Sequence, residues 1–335
     1  GTRAAQEALE GCDGFLIVGS SSPFYEFWPQ PDQARGVQID IDPGRLAMRY
    51  PVEVGLAGDA APTLRELLPL LERRTDRSFL EHAHETTAAS RQALQRQAEN
   101  KDTPMKPQVI VHHLGRLLPD RAILTADAGT VTMWGARVHL RRGMSYSFSG
   151  THCTMGSAVS YAIGAKFAHP DRPVVAFAGD GALAMGMGEL ATLAQYDLPI
   201  TVVVMHNGSL ALEVWEQNAM LGNPQYGCEL SSIDFAGVAR ACGLRGYHVE
   251  DPSDVPDVLA EALAHDGPAL VNCVVDPYEP PFGETLKPTH AEKIAAAFDR
   301  GEPARQRMAA GLLDPVHAEI SPSVQQTRDK LSRYA

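Results

Sequence analysis

The chain has 335 residues, 44% of them hydrophobic, enough for one large or two ordinary domains. Its 41 acidic residues outnumber 29 basic ones, and a net charge of −12 argues against a nucleic-acid partner. The five cysteines (Cys12, Cys153, Cys228, Cys242 and Cys273) form no CxxC pair, so neither a zinc site nor a disulfide framework is indicated.

Residues 1–11 have a helical pattern, and 14–19 (GFLIVG) read as a buried strand. A loop follows, and 37–42 (VQIDID) form a second strand ending in acids. Strand, glycine-ended loop and strand with an acid are the layout of a nucleotide-binding α/β unit. Asp40 and Asp42 lie about 20 residues beyond Gly19, near the offset at which an acid meets an adenosine ribose. No G-x-G-x-x-G accompanies them. Residues 54–59 predict a third strand, and 62–74 an amphipathic helix with leucines at 64, 67, 68, 70 and 71. Residues 1–75 thus predict part of a Rossmann-like domain. The polar stretch 76–106 predicts a solvated linker helix.

Residues 107–118 predict an amphipathic helix and 122–127 (AILTAD) a strand. The small-residue loop Ala128, Gly129, Thr130, Val131 leads into a helix, whose amino terminus attracts phosphate. Small residues in 150–168 permit close helix packing, and Met155 stands just before that helix. Residues 173–178 (PVVAFA) form a buried strand that runs into Gly179-Asp180-Gly181. A helix carrying Leu190, Leu193 and Ala194 follows, stopping at Asp197-Leu198-Pro199. The next strand, 200–205, delivers Asn207 at its carboxyl end. In a parallel sheet Asp180 and Asn207 share the edge at which open α/β sheets bind ligands. A carboxylate, an amide oxygen and nearby backbone carbonyls suit a hard divalent cation that takes its other ligands from phosphate, which is a magnesium–diphosphate site. Helices at 233–242 and 255–265 alternate with strands at 244–249 and 269–275, completing a doubly wound parallel sheet. Residues 276–335 turn proline-rich, then helical and charged. The cysteine usage fits a reducing cytoplasm; no signal peptide is recognisable and no apolar run approaches the ~18 residues of a membrane span.

The pattern GDG, about two dozen residues, then Asn resembles the signature of thiamine-diphosphate-dependent enzymes. With His206-Asn207 where many members have Asn-Asn, it is similar to the group of pyruvate oxidase, quinone-linked pyruvate dehydrogenase and acetolactate synthase. The resemblance extends to about residue 285. It implies a thiamine-diphosphate-binding α/β fold over 107–285, preceded by the second half of an FAD-type middle domain over 1–75 and followed by a C-terminal tail over 286–335. The implied cofactors are thiamine diphosphate, Mg²⁺ and, in the intact enzyme, FAD held by the loop 20–27 and the acids at 40–43.

The same resemblance implies roles for individual residues. Gly129, Thr130 and Val131, with Gly179, Asp180, Gly181 and Ala182, meet the diphosphate. Asp180, Asn207 and the Ser209 carbonyl hold Mg²⁺. The backbone of Cys153 and Met155 binds the pyrimidine, and the Met155 side chain props the cofactor in its bent form. Leu210 lines the cofactor site, Leu212 and Glu213 the substrate pocket. Glu216 matches a glutamate common in the pyruvate oxidase branch. Glu213 stands where an aliphatic residue is usual and would repel a carboxylate, which puts pyruvate itself in question. The activating glutamate belongs to an N-terminal domain without counterpart in 1–75. The chain is therefore expected to be the C-terminal part of a longer enzyme, inactive alone.

The implied reaction is decarboxylation and oxidation of a small 2-oxoacid. An acetolactate-synthase-type carboligase and a non-catalytic module that keeps the metal site are the alternatives. The implied assembly is a homodimer or tetramer, with Met155, Leu210, Leu212 and Trp215 on an exposed surface, and membrane contact by the tail stays open.

Overall fold

A computed structural model describes residues 2–20, 27–281, 286–314 and 331–335. The chain divides into two units, one ending at Arg91 and one beginning at Gln92.

The first unit contains α1 (Arg3–Glu10), β1 (Gly14–Val18), β2 (Arg35–Asp40), β3 (Val54–Ala57) and α2 (Ala60–Leu67). Its three strands are parallel, in the order β1-β2-β3. Ile17, Trp28 and Tyr50 form a small core, with the Phe15 ring edge-on to both aromatics at 5.2 Å. The helix expected to reach residue 74 ends at Leu67 and tightens into a 3₁₀ turn at Leu68–Leu70. Pro69 explains the stop, because it brings no N–H and its ring clashes with the preceding turn. The acids at the end of β2 are engaged locally. Asp40 Oδ1 accepts the Asp42 N–H at 3.0 Å, and Asp42 Oδ1 accepts the Gly44 N–H at 3.0 Å. Most of the loop expected to help hold FAD, residues 21–26, lies outside the described residues. The polar stretch that follows is α3 (Ser78–Ala98), and the division between units falls within it.

The second unit is built on six parallel strands: β4 (Ile123–Ala126), β5 (Ser145–Phe148), β6 (Val174–Gly179), β7 (Ile200–His206), β8 (Arg245–Val249) and β9 (Ala269–Val274). Their order is β5-β4-β6-β7-β9-β8. The chain runs from β4 outward to β5, then returns to place β6 on the other side of β4. That reversal puts a crevice at the carboxyl ends of β4 and β6, where open α/β sheets bind ligands.

Helices cover both faces. On one face α4 (Pro107–Leu117), α5 (Thr130–Gly135) and α11 (Val255–Leu263) bring Leu114, Trp134 and Leu259 against Leu124, Phe177 and Val203. On the other, α6 (Ala158–Ala168), α8 (Glu189–Gln195) and α10 (Phe235–Ala241) bring Val159, Leu193 and Phe235 against Ala176, Val202 and Leu270. Strands covered on both sides need apolar residues at successive positions, which is why β6 reads as an unbroken apolar run and β7 and β9 as nearly so, interrupted within by Thr201 and Asn272. β5 is an edge strand with alternating exposure, and no such run announces it.

The helix expected after Gly181 is two, α7 (Asp180–Gly186) and α8. Two further helices, α12 (Pro288–Asp299) and α13 (Arg305–Leu312), build a third core with α9 (Ala211–Glu216). Trp215, expected on an exposed surface, is instead fully buried there, among Ile294, Phe298 and Met308. Apolar area favours burial by roughly 25 cal/mol per Å², and the tail helices supply the apolar face that covers it. No helix among the described residues is long and apolar enough to cross a membrane.

Candidate functional site

The loops after β4, β6 and β7 open on one cleft. Gly129, Thr130 and Val131 enter from β4, Gly179, Asp180, Gly181 and Ala182 from β6, and Asn207, Ser209 and Leu210 from β7. Met155 enters from the loop before α6. With Leu212 and Glu213, thirteen positions singled out in the sequence thus lie around one space. Two do not line it: Cys153, which is exposed with φ +47°, and Glu216, whose residue surface is largely exposed although its carboxyl is partly desolvated.

Asp180 begins α7 directly from the end of β6 and is only 5% exposed. Its Oδ1 accepts the Gly181 N–H at 2.9 Å, and its Oδ2 accepts the Gly208 N–H at 2.6 Å. Burial raises the Asp180 carboxyl above the usual range, and the Gly208 and Gly181 amides and His206 oppose that shift. Asn207 Oδ1 accepts the Ser209 N–H at 2.9 Å, closing an Asx turn. The loop is pinned from behind: Leu210 N–H donates to the Cys228 carbonyl at 2.8 Å and Leu230 N–H to the Gly208 carbonyl at 3.0 Å.

Gly181 is the bare floor of the cleft. A Cβ there would come within 2.9 Å of Leu230, 3.3 Å of Leu210 and 3.6 Å of Met155. Met155 is held by a close approach next to it in the chain. Gly156 adopts φ +81°, and a Cβ on Gly186 would sit 2.9 Å from the Gly156 carbonyl oxygen.

Sequence reasoning passed over three contributors. Met205 and Ala211 line the cleft, and their apolar side chains carry no distinguishing signal. Asp127, at the end of β4, is 1% exposed and accepts the Ala158 N–H at 2.8 Å, tying the turn after Met155 to the sheet. Burial pushes its carboxyl up to about 6, against the backbone N–H groups of Ala158, Ser157 and Gly156. An acid closing the strand AILTAD on the same sheet edge as Asp180 was the available signal. Leu212 and Glu213, expected at a substrate pocket, line this same cleft. Burial and the neighbouring Glu213 raise the Glu216 carboxyl.

Comparison with known proteins shows the family of the chain. The family description "Thiamine pyrophosphate enzyme, C-terminal TPP binding domain" matches residues 127–273, and "Thiamine pyrophosphate enzyme, central domain" matches residues 1–67. The chain belongs to the thiamine pyrophosphate enzyme family. Thiamine pyrophosphate is another name for thiamine diphosphate. Among relatives within this family, YdaP of Bacillus subtilis, whose inferred name describes a thiamine pyrophosphate-containing protein, is 37% identical over 284 residues. That match covers 84% of this chain and 49% of YdaP. Pyruvate oxidase of Lactiplantibacillus plantarum is 30% identical, over 94% of this chain and 52% of its own length. Sulfoacetaldehyde acetyltransferase of Rhodobacter capsulatus is 31% identical, over 79% and 50%. The chain spans about half the length of the curated relatives it matches.

Proposed function

We propose that the cleft binds thiamine diphosphate through Mg²⁺, and that the full-length protein is a 2-oxoacid decarboxylase-oxidase resembling pyruvate oxidase. The observation that carries the cofactor reading is the convergence of Asp180, Asn207 and Ser209 over the bare Gly181 floor, inside the stretch matching the thiamine pyrophosphate-binding domain. The donor set fits the group. It offers one carboxylate, one amide oxygen and backbone carbonyls, all hard ligands suited to Mg²⁺. Among the described residues no three His, Cys, Asp or Glu side chains gather into a metal site. A cation here would therefore complete its coordination with the phosphate oxygens of its ligand.

When bound, thiamine diphosphate supplies the electron sink that 2-oxoacid decarboxylation requires. The chain's own residues have simpler tasks. Asp180, Asn207 and the Ser209 carbonyl hold the cation. The loop Gly129, Thr130, Val131 and the start of α7 hold the diphosphate. Met155 and Leu210 provide the apolar wall, and backbone at Cys153 and Met155 receives the pyrimidine. Glu216 is proposed at the substrate end. In this reading residues 1–75 are part of the middle domain, 76–106 the linker helix, 107–285 the diphosphate domain and 286–335 the tail. The middle-domain match and the acids closing β2 support FAD in the full-length protein, which we place in a cytoplasmic homodimer or tetramer.

Relatives named acetolactate synthase support a second reading, carboligation. Incubating the full-length protein with pyruvate, Mg²⁺ and thiamine diphosphate separates the two. Reduction of a dye acceptor coupled to CO₂ release supports the oxidase. Acetolactate formation without dye reduction supports the carboligase. Neither product, with pyruvate or a panel of 2-oxoacids, would refute both.

A further inference from the structure

The helix that follows the Met155 turn is capped from a distant strand. α6 begins at Ala158, and Ser157 before it makes no side-chain cap. The Ser157 hydroxyl donates instead to the Thr154 carbonyl at 3.0 Å. No acid stands in the first turn of α6. The opening N–H groups of a helix have no carbonyl within the helix to meet, and burying them has a cost unless something accepts them. Asp127, 31 residues before Ala158 at the end of β4, does so. Its Oδ1 accepts the Ala158 N–H at 2.8 Å, and the N–H groups of Ser157 and Gly156 face the same carboxylate. Thr125, on the same strand, donates its hydroxyl to the Ala158 carbonyl at 2.8 Å.

This anchor sits directly behind the cleft. Residues 151–154, ahead of it, are exposed. Met155 stands one residue before Gly156, and its terminal methyl reaches over the floor, 3.6 Å from where a Cβ on Gly181 would stand. Wherever the turn is held, that methyl is held with it. A carboxylate at the amino end of α6 also fills the place to which a helix would draw an anionic ligand. The diphosphate of the proposed cofactor is thereby left to the loops after β4 and β6.

We infer that Asp127 is a positioning residue for the ring end of thiamine diphosphate: by gathering the N–H groups of residues 156–158 it fixes the turn that carries Met155 over Gly181. It acts on the organic half of the ligand and not on the diphosphate half. The inference rests on the reading of the cleft as a thiamine diphosphate site, and its test keeps the two apart.

Two measurements on the full-length protein decide it. The first compares affinity, with Mg²⁺ present, for thiamine diphosphate and for inorganic diphosphate, which has no rings to meet the turn. Asp127→Ala should lower the ratio of the two affinities by about tenfold, the low end of the roughly 10- to 200-fold that one apolar contact decides in a pocket. Asp127→Asn keeps the shape but replaces one acceptor by a donor, so it should lower the ratio in the same direction; it decides the matter where Asp127→Ala does not fold. Leu193→Ala, buried in α8 and not lining the cleft, should lower stability and leave the ratio unchanged. The second measurement needs no cofactor. In protein labelled with ε-¹³C-methionine, the Met155 methyl signal, assigned by Met155→Ala, should shift in Asp127→Asn and stay in place in Leu193→Ala. An unchanged ratio or an unmoved Met155 signal in Asp127→Asn overturns the inference. Equal loss of both ligands in the Asp127 variants overturns it too, since a purely structural role would produce that. A parent protein that binds neither diphosphate refutes the cofactor reading and the inference with it.

Discussion

Asp127 shows how a single buried group can be read in both structure and titration. Its carboxyl is pushed up to about 6 by burial, while in the unfolded chain it titrates near ~3.9. Between those values the native state binds a proton that the unfolded state does not. This residue therefore adds stability as the pH falls from about 6 toward about 4, on the order of 3 kcal/mol in all. A ¹³C titration of the Asp127 carboxyl should show a midpoint near 6; a midpoint in the ordinary aspartate range would contradict this. The two close-packed glycines differ in a measurable way. Gly186→Ala drives a methyl against the backbone carbonyl of Gly156 and should destabilise by about 1–3 kcal/mol in urea unfolding. Gly181→Ala meets a leucine methyl that can move, so stability should change by less than about 1 kcal/mol while thiamine diphosphate binding weakens. Glu213 lines the cleft, and under the proposed function its charge would oppose the carboxylate of a 2-oxoacid. Glu213→Leu should lower KM for pyruvate about fivefold, on the order of 1 kcal/mol; an unchanged or higher KM would place the charge away from the substrate. The sequence made Asp180, Asn207 and Met155 legible because motif spacing marks them. Asp127 and Leu230 escaped because their roles arise only when distant segments meet.

At the scale of elements, one buried acid anchors the tail to the helix beside the cleft. Glu302 is 0% exposed and accepts from Asn218 Nδ2 at 3.0 Å, the Gln225 N–H at 2.8 Å, Gln225 Nε2 at 3.0 Å and the Ala304 N–H at 3.0 Å. Asn218 belongs to a π-helical turn, Gln217–Leu221, which follows α9 and carries the same core as α12 and α13. Such turns recur at functional sites. Glu302→Ala leaves the Gln225 and Ala304 N–H groups without this acceptor, while Asn218 Nδ2 keeps the Val214 carbonyl and Gln225 Nε2 the Tyr278 hydroxyl, and should cost about 2–3 kcal/mol. Hydrogen exchange should then quicken in both 217–225 and 288–312; faster exchange in the tail alone would show that the anchor does not support the helix. Element type was legible wherever burial on both faces forced an apolar run, as in β6, β7 and β9. It was less so where one turn decides: Pro69 ends α2, and the helix after Gly181 is broken where α7 meets the Met155 turn. The burial of Trp215 was not legible, because the tail helices carry alternating small apolar and charged residues whose shared face appears only on packing.

Across the whole molecule, the family and the parallel α/β architecture followed from the sequence, because strand alternation and the GDG-to-Asn spacing are local patterns repeated over most of the chain. The chain spans about half the length of these relatives, and the chemistry beyond the cofactor is a proposal for the full-length protein. Binding that favours the native state stabilises it by about 2.7 kcal/mol at 100 times the dissociation constant. Thiamine diphosphate with Mg²⁺ should thus raise the unfolding temperature by several degrees, and thiamine diphosphate with a chelator should not. The central claim is that Asp180 holds a cation to which the diphosphate binds. Calorimetric titration of thiamine diphosphate into the full-length protein and its Asp180→Ala variant, each with and without Mg²⁺, tests it most directly. The account predicts binding that needs Mg²⁺ in the parent protein and is lost in the variant. Equal affinity in parent and variant, or affinity indifferent to Mg²⁺, would contradict it.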